Sequence, residues 1–263
     1  MRDLRLQEME KAIREAGTLS MEELCRRFDI SMHTARRDVA ELEKQGVAEK
    51  IYGGVTAPGP ARQLLPSFQE RANHQAEQKR ACCRLAAELV RDHEVIFVDS
   101  GTTMTALADY LADRKDLTIV THNLNLLSYA FPYEQLQVIV LPGRLRRRSL
   151  SLTGAETVAS LRKFNIQKAF MATTGTTENT VTNSFSNEFE IKQTAMEIAQ
   201  ERILLITTEK FGHPGLMNYA TFSDFQTIIT DRMPEDPWRT ALKESGARVL
   251  TVEGNAGPTL ETA

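Results

Sequence analysis

The chain has 263 residues, 41% hydrophobic and 25% charged, with a formal net charge of -3, long enough for one large domain or for a large and a small one. No apolar run approaches the roughly 18 residues that a membrane-crossing helix needs, three cysteines do not make a disulfide framework, and a near-balanced charge leaves only a local surface for any polyanion. The expectation is a soluble, cytoplasmic protein in a reducing compartment.

Residues 1–57 read as short helices followed by a wing. Arg5 to Ala16 sets Leu6, Met9, Ile13 and Ala16 at helical spacing and stops at Gly17. Ser20 and Glu23 form a capping box over MEELCRRF, with Met21, Leu24, Cys25 and Phe28 on the apolar side. A third helix follows Ser31 as N-cap, buries Val39 and Leu42, and ends at Gly46. The connection Asp29-Ile30-Ser31 is so short that the two helices must cross steeply, which is helix-turn-helix geometry. Val47 to Ala57 then reads as two extended pieces turning at Gly53-Gly54, a β-hairpin wing without any earlier strand.

In such a unit the N-terminal residues of the second helix of the pair reach base edges in the major groove of double-stranded DNA. Here they are Ser31, His33, Thr34, Arg36 and Arg37, with Lys50 and Tyr52 of the wing positioned for backbone or minor groove. Arginine can grip guanine bidentately or neutralise phosphate, and the sequence leaves that choice open. Ten basic residues stand against eleven acidic ones in this region. DNA binding therefore requires the acidic side chains to be engaged or turned away.

PGPARQLLP marks a linker, taken as 58–74, and Gln75 to Val90 reads as a helix opening a second domain, 75–263. Beyond it, the strands 95–99, 117–121, 136–141, 167–172, 203–207, 227–230 and 249–252 alternate with helical patterns at 104–111, 155–163 and 188–201. This alternation predicts an α/β domain with a mainly parallel sheet covered on both faces. The run VIFVDSGTTM ends a strand at Asp99 and offers Ser100, Gly101, Thr102 and Thr103 at a helix start, where backbone N–H groups, hydroxyls and the helix dipole suit an anion. Polar groups at the neighbouring strand ends add His122, Asn123, the arginines 144 and 146–148, and Lys210. Glu190 and Lys192 lie on one helix two residues apart, so they do not form an i,i+4 pair.

The five histidines lack metal-ligand spacing, and no cofactor is implied. Asp99 with Glu190 could form an acid/base pair acting on a sugar phosphate, so an isomerase-like enzyme is the alternative to a sensor.

The ordered motifs LSMEELCRRFDISMHTARRDVAELEKQGVAEKIYGGV, VDSGTT, IVTHN, PGRLRRRSLSLTG, KAFMATTG, EFEIKQTAM and EKFG resemble the DeoR family of bacterial sugar-metabolism regulators over nearly the whole chain. The resemblance implies a winged helix-turn-helix joined to a sensor domain similar to ribose-5-phosphate isomerase, with a phosphorylated sugar as effector. It implies a homo-oligomer, dimer or tetramer, on operator DNA, acting as a repressor of a sugar catabolic operon rather than as an enzyme. It assigns Ser100, Gly101, Thr102 and Thr103 to the phosphate loop, Asn123 to the following polar turn, Arg146 to a Gly-Gly-x-x-Arg pattern, and Lys192 and Lys210 to the family's two lysines. Three positions depart from the family pattern: Pro142 replaces a glycine, and Thr207 and Gln167 replace aspartates.

Overall fold

The computed structural model describes residues 2–252 except positions 17, 46, 52, 53 and 57–65, and the chain divides into two units, Met1–Leu65 and Pro66–Ala263. The first unit runs α1 (Arg2–Ala16), β1 (Thr18–Ser20), α2 (Met21–Phe28), α3 (Met32–Gln45), β2 (Glu49–Ile51) and β3 (Gly54–Thr56). Met9, Ile13, Leu24, Val39, Leu42 and Val55 form its core. Burying side chains of this size is worth about 1.5–3 kcal/mol each, which holds the three helices together.

The capping box is present: Ser20 Oγ accepts from Glu23 N (3.1 Å) while Ser20 N donates to Glu23 Oε2 (2.8 Å). Helix α2 stops at Asp29, whose φ of 47° is left-handed. The wing differs from expectation, because β1 joins it in a three-stranded sheet of order β1-β3-β2. Three residues are too few for a sequence period to show, and β1 forms only because β3 pairs with it from 36 residues away, Leu19 opposite Val55. Gly54 fits this contact, since a Cβ there would lie 2.5 Å from Leu19 O. Tyr52 and Gly53 lie outside the described residues.

The second unit opens with α4 (Phe68–Asn73) and α5 (Ala76–Glu88). Residues 66–74, expected as linker, thus carry a short helix, and Ser67 caps it by a second capping box with Glu70. A seven-stranded sheet follows, built from β4 (Val95–Val98), β5 (Thr118–Thr121), β6 (Gln137–Val140), β9 (Lys168–Ala172), β12 (Glu201–Leu205), β14 (Thr227–Thr230) and β15 (Arg248–Thr251). Its order is β15-β14-β12-β9-β4-β5-β6, and every pair is parallel.

Side chains alternate between its faces. Ile96 and Val98 of β4 join one core with α5, a 3-10 helix (Thr105–Tyr110) and α6 (Leu124–Ala130). Phe97 joins the other core with α7 (Ala155–Leu161), α8 (Ser186–Ile198) and α9 (Trp238–Glu244). Two small antiparallel sheets were not expected: β7 (Arg144–Arg146) with β8 (Ser151–Thr153), and β10 (Gly175–Thr176) and β11 (Thr180–Asn183) with β13 (Met217–Thr221). Their strands are short and rich in Ser, Thr or Arg, so no apolar alternation marks them.

The chain proceeds from β4 outward to β6, then returns to β9 and builds the other side. The strand order reverses between β4 and β9. In open α/β sheets that switch point opens the crevice, outside the C-terminal strand ends, where ligands bind. Asp99 follows β4 and Thr173 follows β9.

Candidate functional site

In the first unit, Ser31 Oγ accepts from Thr34 N (3.2 Å) and shares a hydrogen bond with Thr34 Oγ1 (3.0 Å), so the two hydroxyls cap α3 together. His33, Arg36 and Arg37 are exposed around them. Among the described residues neither arginine has a carboxylate within ion-pair distance, whereas the nearby acids are engaged. Asp38 is fully buried and takes Arg5 Nη2 at 2.7 Å, and Glu43 takes Lys50 Nζ at 2.8 Å. Lys50, expected to touch DNA, is thus already paired to α3, an exposed and solvent-screened contact of small net worth. The engaged acids explain how a unit with no net basic charge presents a positive helix end.

In the second unit, Asp99 anchors the switch-point loop. It is fully buried. Its Oδ1 accepts from Ser100 N (2.8 Å) and lies 3.2 Å from His122 Nε2, while its Oδ2 accepts from Ala172 N (3.0 Å) and from the Lys192 ammonium. Burial opposes ionisation of Asp99, but Lys192 and His122 outweigh it and hold the carboxyl at about 2. Lys192 is 2% exposed, donates also to Ala172 O (2.8 Å), and stands over the Tyr219 ring at 5.0 Å. Both members of this pair were expected to contact an effector. They are instead saturated by each other and by the sheet, and they position the loop.

Asn123, expected as a third contact, is also fully buried and structural: its side chain caps α6 by accepting from Asn125 N (3.0 Å) and donates to Asp99 O (3.2 Å). Glu190 is exposed on α8. The carboxylate of α8 that turns inward is Glu188, 2% exposed, which accepts from Ser151 Oγ at 2.7 Å. An acid/base pair of Asp99 and Glu190 is therefore not assembled. Arg146 is exposed, and its guanidinium donates to the Asn187 side-chain oxygen at 2.8–3.2 Å in the amide orientation that satisfies both groups.

The loop itself is open to a ligand in one respect. Among the described residues, no protein acceptor takes the N–H of Gly101, Thr102 or Thr103. Gly101 has φ 110°, which aims consecutive amides in a way that a side chain would disfavour. The α-helix expected after the loop is a 3-10 helix instead, initiated by Thr105 Oγ1 donating to Thr102 O (2.9 Å). The loop therefore offers three open amides rather than the dipole of an α-helix.

Cations surround them. Lys210 Nζ donates to Thr103 Oγ1 (3.3 Å) and Thr173 O (3.0 Å). Burial pushes its ammonium down to about 7, with Lys79 and Arg71 adding to the shift. Lys79 is 5% exposed, and burial, with Arg71 also contributing, lowers it to about 8 despite the opposing pull of Glu209. No carboxylate forms an ion pair with Lys79, Lys210 or Arg71 among the described residues. Thr102, Thr103, Lys79, Arg80 and Tyr129 help to line a cavity of about 300 Å³ beside the loop, with Phe68 of α4 on its other side.

Lys79 and Glu188 escaped the sequence reading although each left a signal. Lys79 sits in the apolar stripe of α5 with Cys82, Cys83 and Ala86, where a lysine has no solvated place. Glu188 is four residues before Lys192 on the buried stripe of α8.

Known proteins resemble both units. The DeoR-like helix-turn-helix domain matches residues 5–60 and the DeoR C terminal sensor domain matches residues 74–232. The HTH-type transcriptional regulator IolR of Bacillus subtilis (strain 168) is 37% identical over 239 residues, 90% of this chain and 94% of that protein. The lactose phosphotransferase system repressor of Streptococcus mutans is 31% identical over 234 residues, 88% of this chain and 93% of that protein. The glycerol-3-phosphate regulon repressor of Escherichia coli (strain K12) is 28% identical over 223 residues, 84% of this chain and 88% of that protein. A solved D-ribose-5-phosphate isomerase in complex with phospho-erythronic acid has a TM-score of 0.39 and 13% identity, over 52% of this chain and 54% of that one, a likeness too low to bear on function. A helix-turn-helix unit, a parallel-sheet unit matched by the sensor-domain model and relatives aligned over nearly their whole length agree: the chain belongs to the DeoR family of DNA-binding transcriptional regulators.

Proposed function

We propose that the protein is a repressor of a sugar catabolic operon, that α3 reads its operator, and that a phosphorylated sugar in the switch-point crevice sets its operator affinity. The observation that carries this reading is the set of open amides at 101–103, beside Lys210, which bonds Thr103 Oγ1, and in a cavity that Lys79 also lines. Buried backbone donors without partners are rare and costly, and buried ammonium groups without counter-ions are costlier. A phosphoryl group relieves both at once, because its oxygens accept from amides and ammonium groups alike. Two relatives are named as repressors of a lactose phosphotransferase system and of a glycerol-3-phosphate regulon, which agrees with a phosphorylated effector. The homo-oligomer implied by the family, dimer or tetramer, belongs to the same proposal.

A thermal-shift panel of phosphorylated sugars, followed by operator binding with and without each hit, tests the reading. We expect at least one member to raise Tm and alter operator affinity. Gly101→Val removes the response while operator binding persists, because valine is strained at φ 110° and its Cβ meets Ala172 Cβ at 3.3 Å. No stabilisation by any phosphorylated sugar refutes the sensor role, and turnover of a hit transfers the reading to an isomerase.

A further inference from the structure

We propose that residues 66–75 form a strap that the bound phosphoryl group fastens, and that Arg71 is its anion ligand. This rests on the phosphate reading of the crevice. It adds a binding residue from the segment expected as linker and a route by which occupancy reaches the chain entering from the first unit.

The strap is held by polar contacts, and it lays the half-buried Phe68 and Ala72 along the cavity wall. None of the residues of α4 is buried. Arg71 Nε donates to Pro66 O (3.1 Å) and Arg71 Nη2 to Arg148 O (3.0 Å), its guanidinium stands over the Phe68 ring at 5.7 Å, and Nη1 has no hydrogen bond among the described residues. The Lys79 ammonium holds the strap from below, donating to Arg71 O and to His74 O (2.6 Å). His74 Nε2 meets the Glu209 carboxylate, one residue before Lys210.

Three features make this closed arrangement marginal while the crevice is empty. Gln75, between α4 and α5, has φ 50°, a left-handed conformation that costs a non-glycine residue stability. Its Oε1 is buried without a hydrogen-bond partner. Lys210 is also crowded by Lys79 and Arg71, and Lys79 by Arg71, with Glu209 pulling the other way on both lysines. An element with few buried contacts and stored strain opens at low free energy.

An anion on the amides of 101–103 reverses the third cost. It lies beside Lys210, which already touches Thr103, and beside Lys79, which touches the strap backbone, so it turns cation repulsion into a shared attraction. Phe68, Gln69, Ala72 and Asn73 line the same cavity as Thr102 and Thr103, so a sugar carried by that phosphate packs against α4. The strap starts where the first unit ends, at residue 65.

Hydrogen exchange of the full chain, with inorganic phosphate as probe and glucose as the uncharged control, tests the proposal. Phosphate is expected to slow exchange of the amides at 68–74 and at 100–104, and glucose to slow neither. In Arg71→Gln, phosphate affinity falls about tenfold and the response at 68–74 disappears, while protection at 100–104 survives at saturating phosphate. Protection at 100–104 with none at 68–74 in the unaltered chain overturns the strap and leaves the phosphate seat standing. So does unchanged phosphate affinity in Arg71→Gln, or glucose protecting 68–74 as well as phosphate does. Protection at neither segment overturns the seat and the strap together. His74→Ala separates a structural latch from a ligand-fastened strap: faster exchange at 68–74 in the empty chain, restored by phosphate, supports the proposal, whereas exchange that phosphate does not restore overturns it.

Discussion

At Asp99 a single carboxylate decides the shape of the loop. It binds Ser100 N, Ala172 N, His122 and Lys192 with no exposure to water, so its role is to hold the amides of 101–103 in place. Removing one partner of a buried ion pair strands the other, at a cost of about 3–5 kcal/mol. Asp99→Asn should lower unfolding stability by that amount in urea denaturation. A loss within experimental error would show that the pair does not frame the loop. Lys210 supplies a pH signature, with Lys79, Arg71, Lys192 and Glu209 as the charged groups facing it. Its empty-state value of about 7 lies below the ordinary 10.5, so the folded chain binds fewer protons than the unfolded one between those values. By that linkage, Lys210 makes stability rise with pH across the same window. Binding a phosphoryl group favours the charged lysine, so binding takes up a proton. Affinity should then fall as pH rises through about 7 and, through Lys79, about 8. Calorimetry in buffers of different ionisation enthalpy reads the uptake directly, and its absence near pH 8 would exclude both lysines from the anion site.

Among the elements, α3 behaves as its sequence suggests and the strap does not. Its cap, its buried stripe of Ala35, Val39 and Leu42, and its exposed Arg36 and Arg37 all follow from local spacing. Arg37→Ala is expected to weaken operator binding without changing Tm. The slope of log affinity against log salt should shrink by about 1 if Arg37 meets phosphate, or stay constant with relaxed sequence preference if it meets guanine. Unchanged binding would exclude α3's arginine face as the reader. By contrast, α4 and the 3-10 helix after the loop are set by local capping bonds: the reciprocal pair between Ser67 and Glu70, and the bond from Thr105 to Thr102. Short-range capping competes there with a weak apolar pattern, and periodicity alone cannot weigh the two.

For the whole molecule, a DNA-binding unit and a sensor unit share one chain, so the proposed function requires reciprocal coupling between their ligands. If a sugar phosphate changes operator affinity by a factor in the usual range of about 5–150, operator DNA must change sugar-phosphate affinity by the same factor. Titrating a hit from the panel with and without an operator duplex measures this. Equal affinities in the two titrations would mean that occupancy of the crevice does not govern DNA binding.

Sequence alone determined the two-unit plan, the helix-turn-helix, the parallel strands and the DSGTT loop, because capping, side-chain period and glycine conformation act within a few residues. Tertiary structure decided which polar groups meet. Asp99 and Lys192 are 93 positions apart, and Lys210 and Thr103 are 107 apart. Their contacts depend on strand order and on burial that no local window contains. The same physics moved Asp99, Asn123 and Lys192 from the expected ligand set to the framework. It also brought forward Arg71, Lys79 and Glu188, whose charges acquire meaning only once the sheet has closed around them.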